Sequence, residues 1–252
     1  MHASMPKIVL LPGLDGTGCL FKGFIEALPS QFRTQNVVYP REEFLSYAEL
    51  LSLIVPSEEA FVLVAESFST PLAIKFAAAN PPHLKALVLC AGFASRPIRS
   101  CLGLVSSLLV PPLVQWLVQW LVPTLVPGLA PGLLRASLPS VVARCFMVGW
   151  HASGELVAEV QDAVSRVAPS VLAARIRAVL GCDARSELAQ ITVPILYLQA
   201  TRDRLVSATC LDEIQRIKPQ VSAIAIPGPH LILQREPQKA AQIVAKYLQA
   251  LS

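Results

Sequence analysis

One stretch, Phe61–Ala79 (FVLVAESFSTPLAIKFAAA), limits the possible folds more than any other. It opens on Phe61-Val62-Leu63-Val64-Ala65, an apolar, valine-rich run of the length of a fully buried strand. It closes on Pro71-Leu72-Ala73-Ile74-Lys75-Phe76-Ala77-Ala78-Ala79, whose alanines and apolar spacing predict a buried helix with Pro71 in its first turn. Glu66, Ser67 and Phe68 lie between them, with small residues, Ala65 and Ser69, two places either side of the serine. A strand that bends straight into a helix brings two backbones close together, which requires small neighbours and strains the residue at the apex. Ser67 occupies that apex and is the candidate nucleophile. The motif departs from G-x-S-x-G, because Ala65 and Ser69 stand where the glycines would be. A serine between two small residues also serves as an ordinary helix cap, so the other segments have to decide between the two readings.

Strands and helices alternate on both sides of this stretch. Lys7–Leu11 reads as a buried strand, followed by the tight loop Pro12-Gly13-Leu14-Asp15-Gly16-Thr17-Gly18. A short helix over Leu20–Leu28 presents Phe21, Phe24, Ile25 and Leu28 on one face, a second strand is expected at Asn36–Tyr39, and a second helix at Ser46–Val55. A fourth strand is expected at Ala86–Ala91. Later come a strand at Pro194–Ala200, a helix at Ser207–Ile217, a strand at Val221–Ile226 and a closing helix at Pro237–Ala250. In the last, Ile243, Val244, Tyr247, Leu248 and Leu251 are expected to face inward. The pattern predicts an α/β protein with a mostly parallel sheet of about six strands, covered by helices on both faces.

The alternation lapses between about Phe93 and Leu180. No charged residue occurs between Arg99 and Arg135, and prolines at 111, 112, 123, 127 and 131 divide that run into short pieces. None reaches the roughly 20 uninterrupted apolar residues of a membrane span. Residues 93–183 are therefore expected to form an inserted helical cap, or lid, on a core made of residues 1–92 and 184–252. Within it, Leu113–Val122 (LVQWLVQWLV) sets Trp116 and Trp120 on one helical face, and the two are candidates for lining an apolar substrate pocket. The same apolar surface is also a candidate for peripheral contact with a membrane.

Composition narrows the function. With 54% hydrophobic and 15% charged residues, disorder is excluded; with a net charge of +4 and no basic run, nucleic-acid binding has no footprint. The six cysteines, at 19, 90, 101, 145, 182 and 210, include no C-x-x-C pair and are expected to be reduced, with neither a metal nor a disulfide role. The amino terminus has no secretion-signal pattern, so a cytoplasmic location is expected. The loop Gly13–Gly18 has the glycine spacing of a phosphate loop, but Cys19-Leu20 stands where Lys-Ser/Thr is required, so no nucleotide cofactor is expected.

Two further loops strengthen the reading of Ser67. Asp203, in Thr201-Arg202-Asp203-Arg204, directly follows one predicted strand, and His230, in Pro227-Gly228-Pro229-His230, directly follows the next. Serine, acid and histidine thus occur in this order, each just past the carboxyl end of a strand, where ligands gather in open α/β sheets. Such a set suits acyl transfer: a serine hydroxyl attacks well only when an imidazole takes its proton and a carboxylate holds the ring. Asp183 is the rival acid, but Asp-Ala-Arg-Ser-Glu-Leu reads as a helix N-cap. His2, His83 and His151 lie in a tail, a Pro-Pro-His turn and the cap segment, and are read as structural.

With its LPG-x-DGTG loop, AESFS bend and GPH loop, the chain resembles the α/β-hydrolase serine carboxylesterases and lipases, close to small bacterial esterases. The resemblance covers roughly residues 5–95 and 185–252. It implies a sheet lacking the first two strands of that fold, and a Ser67-His230-Asp203 triad that cleaves small, uncharged, apolar esters without metal or cofactor. It further implies an oxyanion hole made by the backbone N–H groups of Phe68 and Leu14. Glu66 and Asp15 are given only supporting or loop-fixing roles. Two alternatives stay open: a thioesterase or acyltransferase, for which Arg202 and Arg204 are the only basic candidates near the site, and a non-catalytic relative that uses its cap as a binding surface. Either a monomer or a homodimer fits.

Overall fold

The computed structural model describes residues 5–55, 57–97 and 138–251. Six strands form one sheet in the order β2-β1-β3-β4-β5-β6: β1 Lys7–Leu11, β2 Thr34–Asn36, β3 Phe61–Glu66, β4 Leu84–Cys90, β5 Ile195–Ala200 and β6 Ser222–Ile226. All five pairings are parallel. The sheet expected from the sequence is there, and among the described residues every pairing in it is parallel.

The central strands are buried on both faces, which explains their uninterrupted apolar runs. Ile8, Leu10, Val62, Val64, Val88, Leu196 and Leu198 face one side. They pack there against α1 (Lys22–Ala27) and the closing helix α9 (Pro237–Gln249), through Phe24, Ala240, Ala241, Val244 and Leu248. On the other side, Val9, Leu11, Leu63, Leu87, Leu89 and Tyr197 meet α3 (Thr70–Ala78), α6 (Arg185–Gln190) and α7 (Thr209–Ile217), through Leu72, Ile74, Leu188 and Ile214.

Several boundaries differ from expectation for local reasons. The second strand lies at Thr34–Asn36, because Ile8, Val9 and Leu10 pair with these three residues. Tyr39 has by then left the ladder, and its N–H donates to the Gly16 carbonyl (2.8 Å). The helix expected over Ser46–Val55 is a single α-turn, α2 (Tyr47–Leu50), closed by a Ser46/Glu49 capping box and followed by the 3-10 turn Leu51–Leu53. The Leu20–Leu28 helix likewise begins as a 3-10 turn, Cys19–Phe21. Leu251 lies beyond the end of α9 and is exposed, so it does not face inward. Asp183 is not itself an N-cap: Ala184 holds that place, while the Asp183 carboxylate accepts the Arg185 N–H (3.1 Å) from one residue earlier.

Between β4 and β5, the described residues form a helical turn, Ser140–Val142, that runs into a π-helical stretch, Ala143–Val148. Helices α4 (Gly154–Ser165) and α5 (Pro169–Gly181) follow. Val148, Val157, Val160, Val171 and Leu172 form an apolar cluster that also takes in Leu14, Leu205 and Leu231 from loops at the carboxyl edge of the sheet. Trp116 and Trp120 lie outside the described residues. Among the described residues Cys19 is exposed, and Cys90, Cys145, Cys182 and Cys210 are buried.

Candidate active site

The bend after β3 is as sharp as its small residues require. Ser67 sits at φ 48°, in the left-handed region that a non-glycine residue enters only under strain. The 3-10 turn Ser67–Ser69 and then α3 follow without a linker. Several contacts hold the strained turn. The Thr70 hydroxyl lies 2.8 Å from the Ser67 carbonyl oxygen and accepts the Phe93 N–H (3.0 Å). The Tyr47 hydroxyl donates to the Phe68 carbonyl (2.9 Å), and the Tyr47 and Phe68 rings stack with centroids 5.1 Å apart.

Asp203 and His230 arrive from the ends of β5 and β6. His230 Nδ1 lies 2.7 Å from Asp203 Oδ2, and its Nε2 lies 2.8 Å from Ser67 Oγ. Asp203 Oδ1 is fixed by the N–H groups of Leu205 (2.8 Å) and Val206 (2.9 Å), so the second oxygen has one orientation towards the ring. A carboxylate only accepts, so Nδ1 carries the proton and Nε2 presents a lone pair to the serine hydroxyl. Both side chains are about 95% buried, at 4% and 5% exposure. Burial alone would lower the pKa of His230. The charge and hydrogen bond of Asp203 outweigh it, and the ring is held above the ordinary histidine value. The three residues picked out from the sequence therefore form one hydrogen-bonded chain. Asp183 takes no part in it: its exposed carboxyl is held down to about 2 by hydrogen bonds from Arg185.

The glycine-rich loop leaves β1 beside this chain. Leu11 pairs with Ala65, so residues 12–14 emerge next to residues 66–68, at the point where the strand order reverses. Ser69 Oγ donates to the Pro12 carbonyl and is also 2.6 Å from the Tyr39 hydroxyl, tying bend to loop. The turn hydrogen bond from Gly16 N–H to the Gly13 carbonyl (3.0 Å) uses neither the N–H of Leu14 nor that of Asp15. The N–H of Phe68 falls in the first turn of a helix, where backbone donors have no intrahelical acceptor. Asp15 Oδ2 accepts the Thr17 N–H (2.8 Å), which is the loop-fixing contact expected of it.

A buried arginine completes the loop. Arg175, on α5, donates through Nη1 to the carbonyls of Leu14 (2.8 Å) and Asp15 (2.9 Å), and through Nη2 to that of Pro40 (2.8 Å). Its guanidinium also lies over the rings of Tyr39 and Phe68, 5.6 and 5.9 Å from their centroids. Gly16, at φ 69°, leaves the room it needs: a Cβ there would sit 2.6 Å from Nη1. Arg175→Met strips the donors from three carbonyls at once. At about 1.5–3 kcal/mol for a charged hydrogen bond, a loss of roughly 3 kcal/mol or more is expected, read as a lower midpoint in urea unfolding. A midpoint unchanged from wild type would show that the loop holds itself.

No protein family and no curated protein matches the chain in sequence. Solved structures do match in shape. The enol-lactonase from Burkholderia xenovorans LB400 aligns with a TM-score of 0.73 at 17% identity, over 98% of this chain and 93% of that one. A thermophilic esterase from Thermogutta terrifontis aligns at 0.70 and 18%, over 99% and 91%. MenH from S. aureus aligns at 0.71 and 14%, over 99% and 95%. The chain has the α/β-hydrolase fold.

Within this fold, Glu66 is deeply placed. It ends β3 at 2% exposure, with Oε2 accepting from Gln234 Nε2 (3.1 Å). Burial pushes its carboxyl up to about 7, against the pull of His230. Sequence reading missed Arg175 and Gln234. The signal for Arg175 was present: it falls three and four places after Leu172 and Val171, on the apolar face of its helix, whereas Arg177 falls on the exposed face. Gln234 carried no such signal. His83 and His151 are exposed. Among the described residues no helix is long and apolar enough to cross a membrane.

Proposed function

We propose that this chain is a serine hydrolase that cleaves uncharged carboxylic esters through an acyl-enzyme. The observation that carries the reading is the double engagement of His230, by Asp203 at 2.7 Å and by Ser67 at 2.8 Å. Ser67 Oγ attacks the ester carbonyl while its proton passes to Nε2 of His230, and Asp203 stabilises the imidazolium without taking the proton. The N–H groups of Phe68 and Leu14 receive the negative oxygen of the tetrahedral intermediate. The imidazolium then protonates the departing alcohol. Water, deprotonated by the same nitrogen, releases the acid and restores the serine. The apolar neighbours Leu14, Leu205 and Leu231, packed into the cluster above the sheet, favour an uncharged acyl group.

A fluorophosphonate probe tests the reading directly: labelling confined to Ser67 is expected, with turnover of p-nitrophenyl esters exceeding that of acyl-coenzyme A thioesters. An unlabelled, folded protein would point to a non-catalytic relative; faster thioester turnover would move the substrate class.

The pH profile follows from the ring. Only neutral His230 accepts the serine proton, and its pKa lies above the ordinary ~6.5. The acid limb of kcat/KM should therefore have its midpoint on the alkaline side of that value. A midpoint well below it, measured with a neutral ester, would contradict His230 as the base.

A further inference from the structure

Glu66 and Gln234 leave a pattern of unmet hydrogen bonds that identifies a proton. Gln234, on the short helix α8 (Ile232–Arg235) just after His230, donates its amide N–H to Glu66 Oε2. Two buried side-chain oxygens then remain without any partner, Oε1 of Glu66 and Oε1 of Gln234. Both are acceptors if the glutamate is ionised, and each such buried, unpaired acceptor is destabilising. One hydrogen shared between them would satisfy both. A carboxylic acid and a primary amide pair in this way, with the amide N–H on one acid oxygen and the acid O–H on the amide oxygen.

We propose that Glu66 rests as a neutral acid, closed into an acid–amide pair with Gln234, directly behind the nucleophile and beside His230. The surroundings agree. Glu66 is fully enclosed, and the Asp15 carboxylate on the neighbouring loop opposes a second negative charge there. Cys90, on β4, is also within electrostatic reach and is itself pushed well up by burial. The place where a Gly13 Cβ would stand is 3.7 Å from both Glu66 Oε2 and Asp15 Oδ1, so the two carboxyl groups face the same small space. Among the described residues His230 is the one cationic partner in reach, and it already has Asp203. With Glu66 neutral, the imidazole faces one ionised carboxylate instead of two and releases its second proton at lower pH. Gln234 is thus a positioning residue, acting on His230 through Glu66. That consequence for turnover rests on the triad reading above; the protonation state of Glu66 does not.

Neither of two measurements on the Ser67→Ala protein needs turnover, so this inference and the esterase reading fail separately. At about pH 6, where ordinary glutamates (pKa ~4.3) are ionised, infrared spectroscopy should show the C=O stretch of a protonated carboxylic acid. The band should vanish in Glu66→Gln. It should persist but shift in Gln234→Met, because the acid loses both amide contacts. Absence of the band, or its survival in Glu66→Gln, would overturn the proposal. The second measurement is the NMR titration of the His230 ring. Two neighbouring groups that interact strongly titrate as a pair, so the curve should depart from a single-site form with Glu66 present and become single-site in Glu66→Gln. Single-site curves in both, with the midpoint falling in Glu66→Gln, would mean that Glu66 is ionised throughout.

Discussion

Ser67→Ala should lower kcat for any ester substrate by a factor on the order of 10⁶, the loss seen when a triad nucleophile is removed. Neither hydroxyl beside it in the turn takes its place: that of Thr70 is turned to the Ser67 and Phe93 carbonyls, and that of Ser69 to Pro12 and Tyr39. The fold should survive, since Ser67 contributes only its backbone to the bend and alanine bears the same left-handed conformation at a similar cost. Circular dichroism and steady-state rates on one preparation check both halves. Residual activity above about a hundredth of wild type, against the expected 10⁶, would remove Ser67 from the reaction.

Asp203→Asn should be the next most damaging change, lowering kcat by about 10⁴, as in the best-measured serine triad. The geometry gives the reason. The substituted side chain would keep its amide oxygen under the N–H groups of Leu205 and Val206, which leaves its NH₂ facing His230 Nδ1. Two donors cannot face each other, so the ring would give up its Nδ1 proton and carry one on Nε2 instead. The serine hydroxyl would then meet a donor where it needs an acceptor. Asp183→Asn, on an exposed carboxyl paired with Arg185, should leave kcat near wild type and serves as the control. Were Asp183→Asn the inactive variant and Asp203→Asn the active one, the acid would have been assigned to the wrong loop.

Much of this site was legible because it obeys strand-end logic. Ser67, Asp203, His230 and Leu14 each follow a strand whose apolar run marks it plainly, and in a parallel sheet those ends share one edge. Chain order and edge position were enough to group Ser67, Asp203 and His230 before any coordinate was known, and the family resemblance added Leu14. Where elements are short, the reading slipped. Thr34–Asn36 is polar and partly exposed, so its composition hides the strand, while the more apolar Val37–Tyr39 run draws the eye although Tyr39 has already left the ladder. Arg175 and Gln234 were missed for a different reason. Their importance lies in contacts between segments far apart in the chain, such as the 161 residues between Arg175 and Leu14, and no local pattern encodes such a partner.

That reach of Arg175 bears on how such a protein diversifies. Strands β4 and β5 pair directly although more than a hundred residues separate them in the chain, so the sheet itself places no demand on what joins them. On topology alone, the joining segment could be exchanged wholesale to give a new substrate range. The guanidinium forbids that freedom. It comes from inside the segment and secures the carbonyls of Leu14 and Asp15 in the loop beside the nucleophile. A transplanted segment that lacks a buried donor at this spot would alter selectivity and weaken the loop beneath it in the same stroke. Grafts that retain residues 169–181 and vary only what precedes them avoid that conflict, and they mark where this scaffold is open to redesign.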